Sequence, residues 1–297
     1  MKKNNPFKGL GVALVTPFCH DGSVDFDSLR KLVEYQIASG IDFLCVLGTT
    51  AETPCLTDEE RARVKDCVVE VAAGRVPILL GYGSNCTAGL VDSLTRGLVN
   101  LDGIDGLLVV TPYYNKPTQE GLYQHFMAVA KAAGEMPIVL YNVPGRCGVN
   151  MTAETTLRLA SEVTNVVAIK EASGNLEQIQ TIIDNAPEGF DLLSGDDGIT
   201  NKLIGMGAAG VISVVANAVC EKFARMVHAS IQGDKAVANT IDDALAGLYK
   251  LAFVDGNPAG IKALLAAKGE IENVLRLPLV PASAETCEAI KEFASIN

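Results

Sequence analysis

Asn165-Val166-Val167-Ala168-Ile169-Lys170-Glu171 is the stretch from which the fold of this chain can be read. Val166 to Ile169 are apolar, uninterrupted and rich in β-branched side chains. A run without polar alternation marks a strand covered on both faces, as in a parallel sheet. Lys170 follows with no polar spacer, so its ammonium is expected where a buried strand opens. Desolvation there disfavours the charged form. A neutral amine is a nucleophile, and the reaction open to it is Schiff-base formation with a carbonyl. A lysine that ends a strand more often points into water, so Lys170 gains meaning only from the rest of the chain.

Outward from this strand, a strand-then-helix unit recurs. The strands expected are Leu10–Val15, Ile41–Leu47, Val76–Leu80, Gly106–Val110, Pro137–Tyr141, the one ending in Lys170, Asp191–Leu193 and Gly210–Val214. Between them lie helical patterns. Asp27 to Ser39 carries Leu29, Leu32, Val33 and Ile37 on one face, with Gly40 as its stop. Thr57 and Glu60 have capping-box spacing, a helix opens near Thr87, Pro117 suits a first helical turn, and Thr152 caps a helix to about Leu159. Eight parallel strands joined by right-handed crossovers close naturally into a (β/α)8 TIM barrel. An open doubly wound sheet is the alternative, but no G-x-G-x-x-G follows the first strand. From about Ala218 the pattern is helical only: Phe223–Ile231, Lys235–Phe253, Pro258–Ala267 and Ala284–Ile296. We expect a barrel over residues 1–231 and a small C-terminal helical segment over 232–297, with no linker between them.

Bulk properties exclude several classes. The 297 residues carry a net charge of -11, and the pI is near 4.8. That argues against nucleic acid or an anionic membrane as partner. Only 20% of residues are charged and the mean hydropathy is +0.25, which leaves room for buried subunit contacts. The eight cysteines form no C-x-x-C pair, and three histidines give a zinc site little to draw on. Free thiols in a reducing compartment follow. Met1 to Asn5 is basic and polar but leads into no signal-peptide core. No apolar run reaches membrane-spanning length, so a cytoplasmic protein is expected.

Chemistry in this barrel class sits where strands end. The expected strand ends offer Thr49, Thr50, Tyr114, Tyr141, Arg146, Lys170 and Ser194: hydroxyls and two cations. No carboxylate pair suits glycoside hydrolysis. His20, His125 and His228 lie away from strand ends, so metal hydrolysis lacks ligands. Neither a metal nor a cofactor is expected. A keto acid held for Lys170 needs donors for its carboxylate, and Thr50 with the amides of Gly48 to Ala51 is suitable. Loss of water from the carbinolamine needs proton transfer, for which Tyr141, ending the neighbouring strand, is in reach. Tyrosine needs a partner to move protons, and Thr49 can relay them. Singly, each has a bland alternative, a turn threonine or an amphipathic plug. Together, at strand ends two, four, five and six, they point to an imine-forming site.

The segments Gly48-Thr49-Thr50-Ala51-Glu52, Thr111-Pro112-Tyr113-Tyr114-Asn115-Lys116-Pro117, Tyr141-Asn142-Val143-Pro144-Gly145-Arg146, Ile169-Lys170-Glu171-Ala172-Ser173-Gly174 and Gly210-Val211-Ile212-Ser213-Val214 resemble the dihydrodipicolinate synthase family. That family belongs to the N-acetylneuraminate lyase superfamily of class I aldolases. The resemblance runs from about Phe7 to the C-terminus. It implies a Schiff base between pyruvate and Lys170, whose enamine attacks L-aspartate 4-semialdehyde in the lysine and diaminopimelate pathway. It further implies Tyr141 as proton donor and acceptor, with Thr49 linking it to a Tyr114 that reaches across a tight dimer. Thr50 would hold the pyruvate carboxylate with the Ile212 backbone nearby, Arg146 would meet the semialdehyde carboxylate, and Gly195 would lend a carbonyl to the second substrate. A homotetramer, a dimer of tight dimers, is implied.

Two departures stand out. Ala51 replaces a usual glycine, which requires a backbone outside the left-handed region. Asp255-Gly256-Asn257-Pro258-Ala259-Gly260-Ile261 departs from a proline-rich run, and only packing changes are expected from it. Feedback by lysine stays open: Asn85 and Tyr113 match the inhibited type, whereas Asp58, Arg61 and Gly89 do not. The competing activities are retro-aldol cleavage of a 2-keto-3-deoxy sugar acid or sialic acid, and a non-catalytic keto-acid sensor.

Overall fold

A computed structural model describes residues 5–296; the ends of the basic N-terminal stretch and of the C-terminal segment lie outside them. Eight parallel strands close in chain order: β1 (Gly9–Ala13), β2 (Phe43–Val46), β3 (Ile78–Gly81), β4 (Gly106–Val110), β5 (Ile138–Asn142), β6 (Val166–Glu171), β7 (Asp191–Ser194) and β8 (Gly210–Ser213). β8 pairs back onto β1. The (β/α)8 barrel expected from the strand cadence is the fold, and the doubly wound sheet is excluded by this closure.

The helices around it are α1 (Phe26–Ala38), α2 (Asp58–Ala72), α3 (Thr87–Thr95), α4 (Gln119–Ala133), α5 (Pro144–Cys147), α6 (Ala153–Glu162), α7 (Leu176–Asn185), α8 (Thr200–Met206) and α9 (Ala216–Gln232). Local sequence explains several starts. Thr57 Oγ1 accepts from Glu60 N while the Glu60 carboxylate accepts from Thr57 N, closing the capping box of α2. Thr152 caps α6 by one side-chain bond, its Oγ1 accepting from Thr155 N. Pro117 does not enter a first turn. Thr118 takes the cap by accepting from Gly121 N, so α4 begins at Gln119 and Pro117 stands outside it. α9 starts earlier than its apolar pattern suggests and is kinked at Val219. Beyond it come α10 (Lys235–Leu251), α11 (Ala259–Ala267) and α12 (Ala284–Ile296). Among the described residues no helix is long and apolar enough to cross a membrane.

Two apolar clusters follow from strand alternation. Val166, Ile169 and Leu140 face the helices, whereas Val139, Tyr141, Ala168 and Ile212 fill the barrel. Phe7 and Phe43 plug the barrel edge to face, with centroids 5.5 Å apart. Gly11 makes this possible: a Cβ there would come within 2.2 Å of the Phe43 ring. Between β5 and β6 the register slips. Ile138 pairs with Val166 but Val139 with Ala168, leaving Val167 as an extra residue. After that slip Tyr141 pairs with Lys170, and both side chains turn inward.

Candidate active site

Lys170 is the penultimate residue of β6 and only 6% exposed. Its Nζ lies 4.5 Å from the centroid of the Tyr141 ring on the adjacent strand. Gly195 borders it: a Cβ there would come within 3.2 Å of Lys170 Cε and 2.7 Å of Ala172 Cβ. The floor is apolar, with Cys45 fully buried; burial pushes its thiol up to about 11, Lys170 being a smaller opposing influence. Ile212 also faces the barrel interior. One strand turn outward, Glu171 accepts from Asn142 Nδ2 (3.0 Å), Ser173 N (2.7 Å) and Gln178 Nε2 (3.0 Å). This buried network ties the two strands on their outer faces, opposite Lys170 and Tyr141.

The loop after β2 is strained at both ends. Leu47 (φ 56) and Glu52 (φ 54) are non-glycine residues in the left-handed region, and such residues cluster at functional sites. Between them Thr49–Ala51 form a single 3-10 turn, so Ala51 is helical and the positive φ falls on its neighbour. Its methyl therefore carries no backbone penalty. Thr16 Oγ1 donates to Ala51 O at 2.8 Å, and Thr53 Oγ1 to Gly48 O at 2.9 Å. Thr50 is buried, while Thr49 is half-buried and lines a cleft of about 620 Å³. That cleft also touches Tyr141, Arg146 and Tyr113, and Lys170 stands against the Tyr141 ring outside this lining.

Asn257 links two residues that the motifs only placed on separate strand ends. Its Nδ2 donates to Thr50 Oγ1 at 2.9 Å, and its carbonyl accepts from Arg146 Nη2 at 3.3 Å. The expectation that the 255–261 departure alters packing alone is thus corrected: this segment enters the site. No local signal marks Asn257, because its partners are 207 and 111 positions away. Asn217 was equally illegible. It is buried, accepts from Val15 N and donates to Ala13 O and Val214 O, locking β1 to β8 at the catalytic end.

Tyr114 points away from this centre. It is 88% exposed, with φ 81. Among the described residues no hydrogen bond joins Thr49, Tyr141 and Tyr114. Asn85 Nδ2 donates to Tyr113 O at 3.3 Å. Arg61 donates to Thr53 O and to Asp58 Oδ1, both at 3.2 Å. Ser194 turns into its own loop, donating to Asp196 O. There Asp197, buried, accepts from Val214 N and Val215 N beyond β8, and burial raises its carboxyl to about 6. His125, expected away from the strand ends, sits between helices with Nδ1 2.8 Å from Thr87 Oγ1, and burial lowers it to about 4.

Known proteins resemble this chain over nearly its whole length. The profile of the Dihydrodipicolinate synthetase family matches residues 6–296. A 4-hydroxy-tetrahydrodipicolinate synthase of Phocaeicola vulgatus is 57% identical over 284 residues, covering 96% of this chain and 95% of that one. The dihydrodipicolinate synthase structure from Thermotoga maritima superposes with a TM-score of 0.94 at 40% identity, covering 98% of this chain and 99% of its own. That of Acinetobacter baumannii, complexed with pyruvate, gives 0.92 at 38% identity, covering 99% and 100%.

Proposed function

The chain belongs to the dihydrodipicolinate synthetase family, and from that premise we propose how its residues divide the work. The reaction is the synthesis of 4-hydroxy-tetrahydrodipicolinate from pyruvate and L-aspartate 4-semialdehyde, a lyase-type condensation in lysine and diaminopimelate biosynthesis. The observation that carries the division of labour is Lys170, 6% exposed at the end of β6 and paired in register with Tyr141.

The Lys170 amine adds to the keto carbon of pyruvate, water leaves, and loss of a C3 proton gives the enamine. The enamine carbon then bonds to the aldehyde carbon, whose oxygen takes up a proton, and the semialdehyde's own amine adds to the imine carbon, closing the ring and freeing the Lys170 amine. Tyr141 moves the protons of imine formation. Thr50 meets the pyruvate carboxylate. Asn257 already donates to its oxygen, so the hydroxyl hydrogen is free to turn to the substrate. The Ile212 backbone lies alongside. Arg146 takes the carboxylate of the semialdehyde with its planar fork, and the Gly195 carbonyl meets the same substrate. A relay through Thr49 needs a second copy to bring its Tyr114. The 88% exposure of that ring supports a tight dimer, and the homotetramer is a pair of such dimers. A cytoplasmic setting suits the acidic composition. Residues 232–297 form a helical segment after the 1–231 barrel, and it reaches the site through Asn257.

Borohydride added with pyruvate should leave a stable adduct on Lys170, read by intact mass and peptide mapping. Absence of that mass increment would sink the scheme. Coupled assays with semialdehyde, run against cleavage of 2-keto-3-deoxy sugar acids and sialic acid, separate synthase from retro-aldol activity.

A further inference from the structure

Lys262 on α11 is fully buried and plays no part in the scheme above. Its Nζ donates to Glu52 Oε1 at 2.5 Å and to Val274 O at 2.8 Å, and stands 4.2 Å from the centre of the Phe18 ring. Glu52 is itself buried, and its other oxygen accepts from Arg276 N at 3.0 Å. The Arg276 guanidinium forks onto Glu60 at 2.7 and 2.6 Å, which lowers that carboxyl to about 2, and reaches Cys55 O at 3.0 Å. The chain from Asn257 to Arg276 therefore grips the loop after β2 at Thr50, Glu52 and Cys55, and the first turn of α2 at Glu60.

A buried ion pair is a poor device for stability alone, because desolvation offsets most of the attraction and an apolar pair of equal volume serves as well. What it supplies is direction. Glu52 holds a left-handed φ of 54, a conformation unfavourable for a residue other than glycine, which persists only when its surroundings over-determine it. Both oxygens of Glu52 are held, and the residues just before it are Thr49, Thr50 and Ala51. We propose that Lys262, acting through Glu52, is a positioning residue for the keto-acid carboxylate. It sets where Thr50 and the amides of Gly48 to Ala51 stand, which makes the C-terminal segment a working part of the pyruvate site. The inference rests on the reading that the pyruvate carboxylate meets this loop.

The test is the double variant Glu52→Gln/Lys262→Met beside the parent. It keeps volume and removes both charges; the new amide oxygen can still accept from Arg276 N. Its melting temperature should stay near the parent's. The pyruvate concentration for half-maximal borohydride labelling of Lys170 should rise about tenfold or more, with the labelling plateau retained. A half-saturation equal to the parent's overturns the proposal and leaves the pair purely structural. A parent that forms no adduct removes the Schiff-base scheme itself, and this inference with it. Should the double variant not fold, hydrogen exchange on the parent decides. Pyruvate should slow exchange in residues 48–56 and 257–276 together, and protection confined to the first segment overturns the coupling.

Discussion

The two ends of the barrel treat polar groups in opposite ways. At the N-terminal ends, carboxylates stand partly in water and accept from nearby groups. Asp42 takes Leu10 N and His228 Nε2, both at 2.7 Å, Asp105 takes Ile78 N at 2.8 Å, and Asp191 takes Asn5 Nδ2 at 2.9 Å. At the C-terminal ends charge is buried: Lys170, Asp197, and the pair Glu52 and Lys262. Strain divides the same way. Of the non-glycine residues with positive φ, Leu47, Glu52, Tyr114 and Lys116 belong to loops at the C-terminal end, and Ala73 merely closes α2. Water can replace a lost partner at one end and cannot at the other. The first end anchors the barrel, while the second holds groups that only their neighbours keep in place, as functional sites require.

The sharpest break of this contrast is Lys170→Ala. It should abolish borohydride labelling and lower kcat/KM by at least about 10³-fold. Persistent labelling by pyruvate at another lysine would move the chemistry elsewhere.

Asp197 tests the buried end by pH. Unfolded, its carboxyl titrates near 3.8, and burial lifts it to about 6 in the fold. Between these values the folded chain holds a proton that the unfolded chain has lost, so stability falls as pH rises through that window. Asp197→Asn should therefore gain on the parent between pH 4 and 7, by at most about 3 kcal/mol. Parallel melting curves across that range would refute it. At the other end the Asp42 hydrogen bond raises His228. That pair's contribution is full below about 6.5 and is lost as pH rises through the folded value, and its partial exposure keeps it small.

Arg146→Lys keeps the charge and loses the fork. KM for the semialdehyde should rise about 10- to 100-fold while pyruvate labelling of Lys170 holds. Equal effects on both substrates would show that Arg146 acts on the site as a whole. The smallest effect belongs to the anchoring end. Asp42→Ala should cost about 1 kcal/mol of stability and leave kcat unchanged. A fall in kcat without a fall in melting temperature would erase the distinction between the ends.

Periodicity is local, and whatever depends on it was legible in the amino-acid sequence: eight strands, the helices between them, closure into a barrel, and a lysine at the end of β6. The positions of Thr49 and Thr50 after β2, and of Tyr141 and Arg146 at the end of β5, follow from the same cadence. Other features needed the folded chain. The unalternating run Val166 to Ile169 does not reveal which residue is extra, and the slip at Val167 settles that Lys170 turns inward beside Tyr141. Asn257 on Thr50 and Arg146, and Lys262 on Glu52, join positions 111 to 210 residues apart. A hydrogen bond of that span leaves no local pattern, since its partners meet only after the barrel has closed and the C-terminal segment has folded back across it.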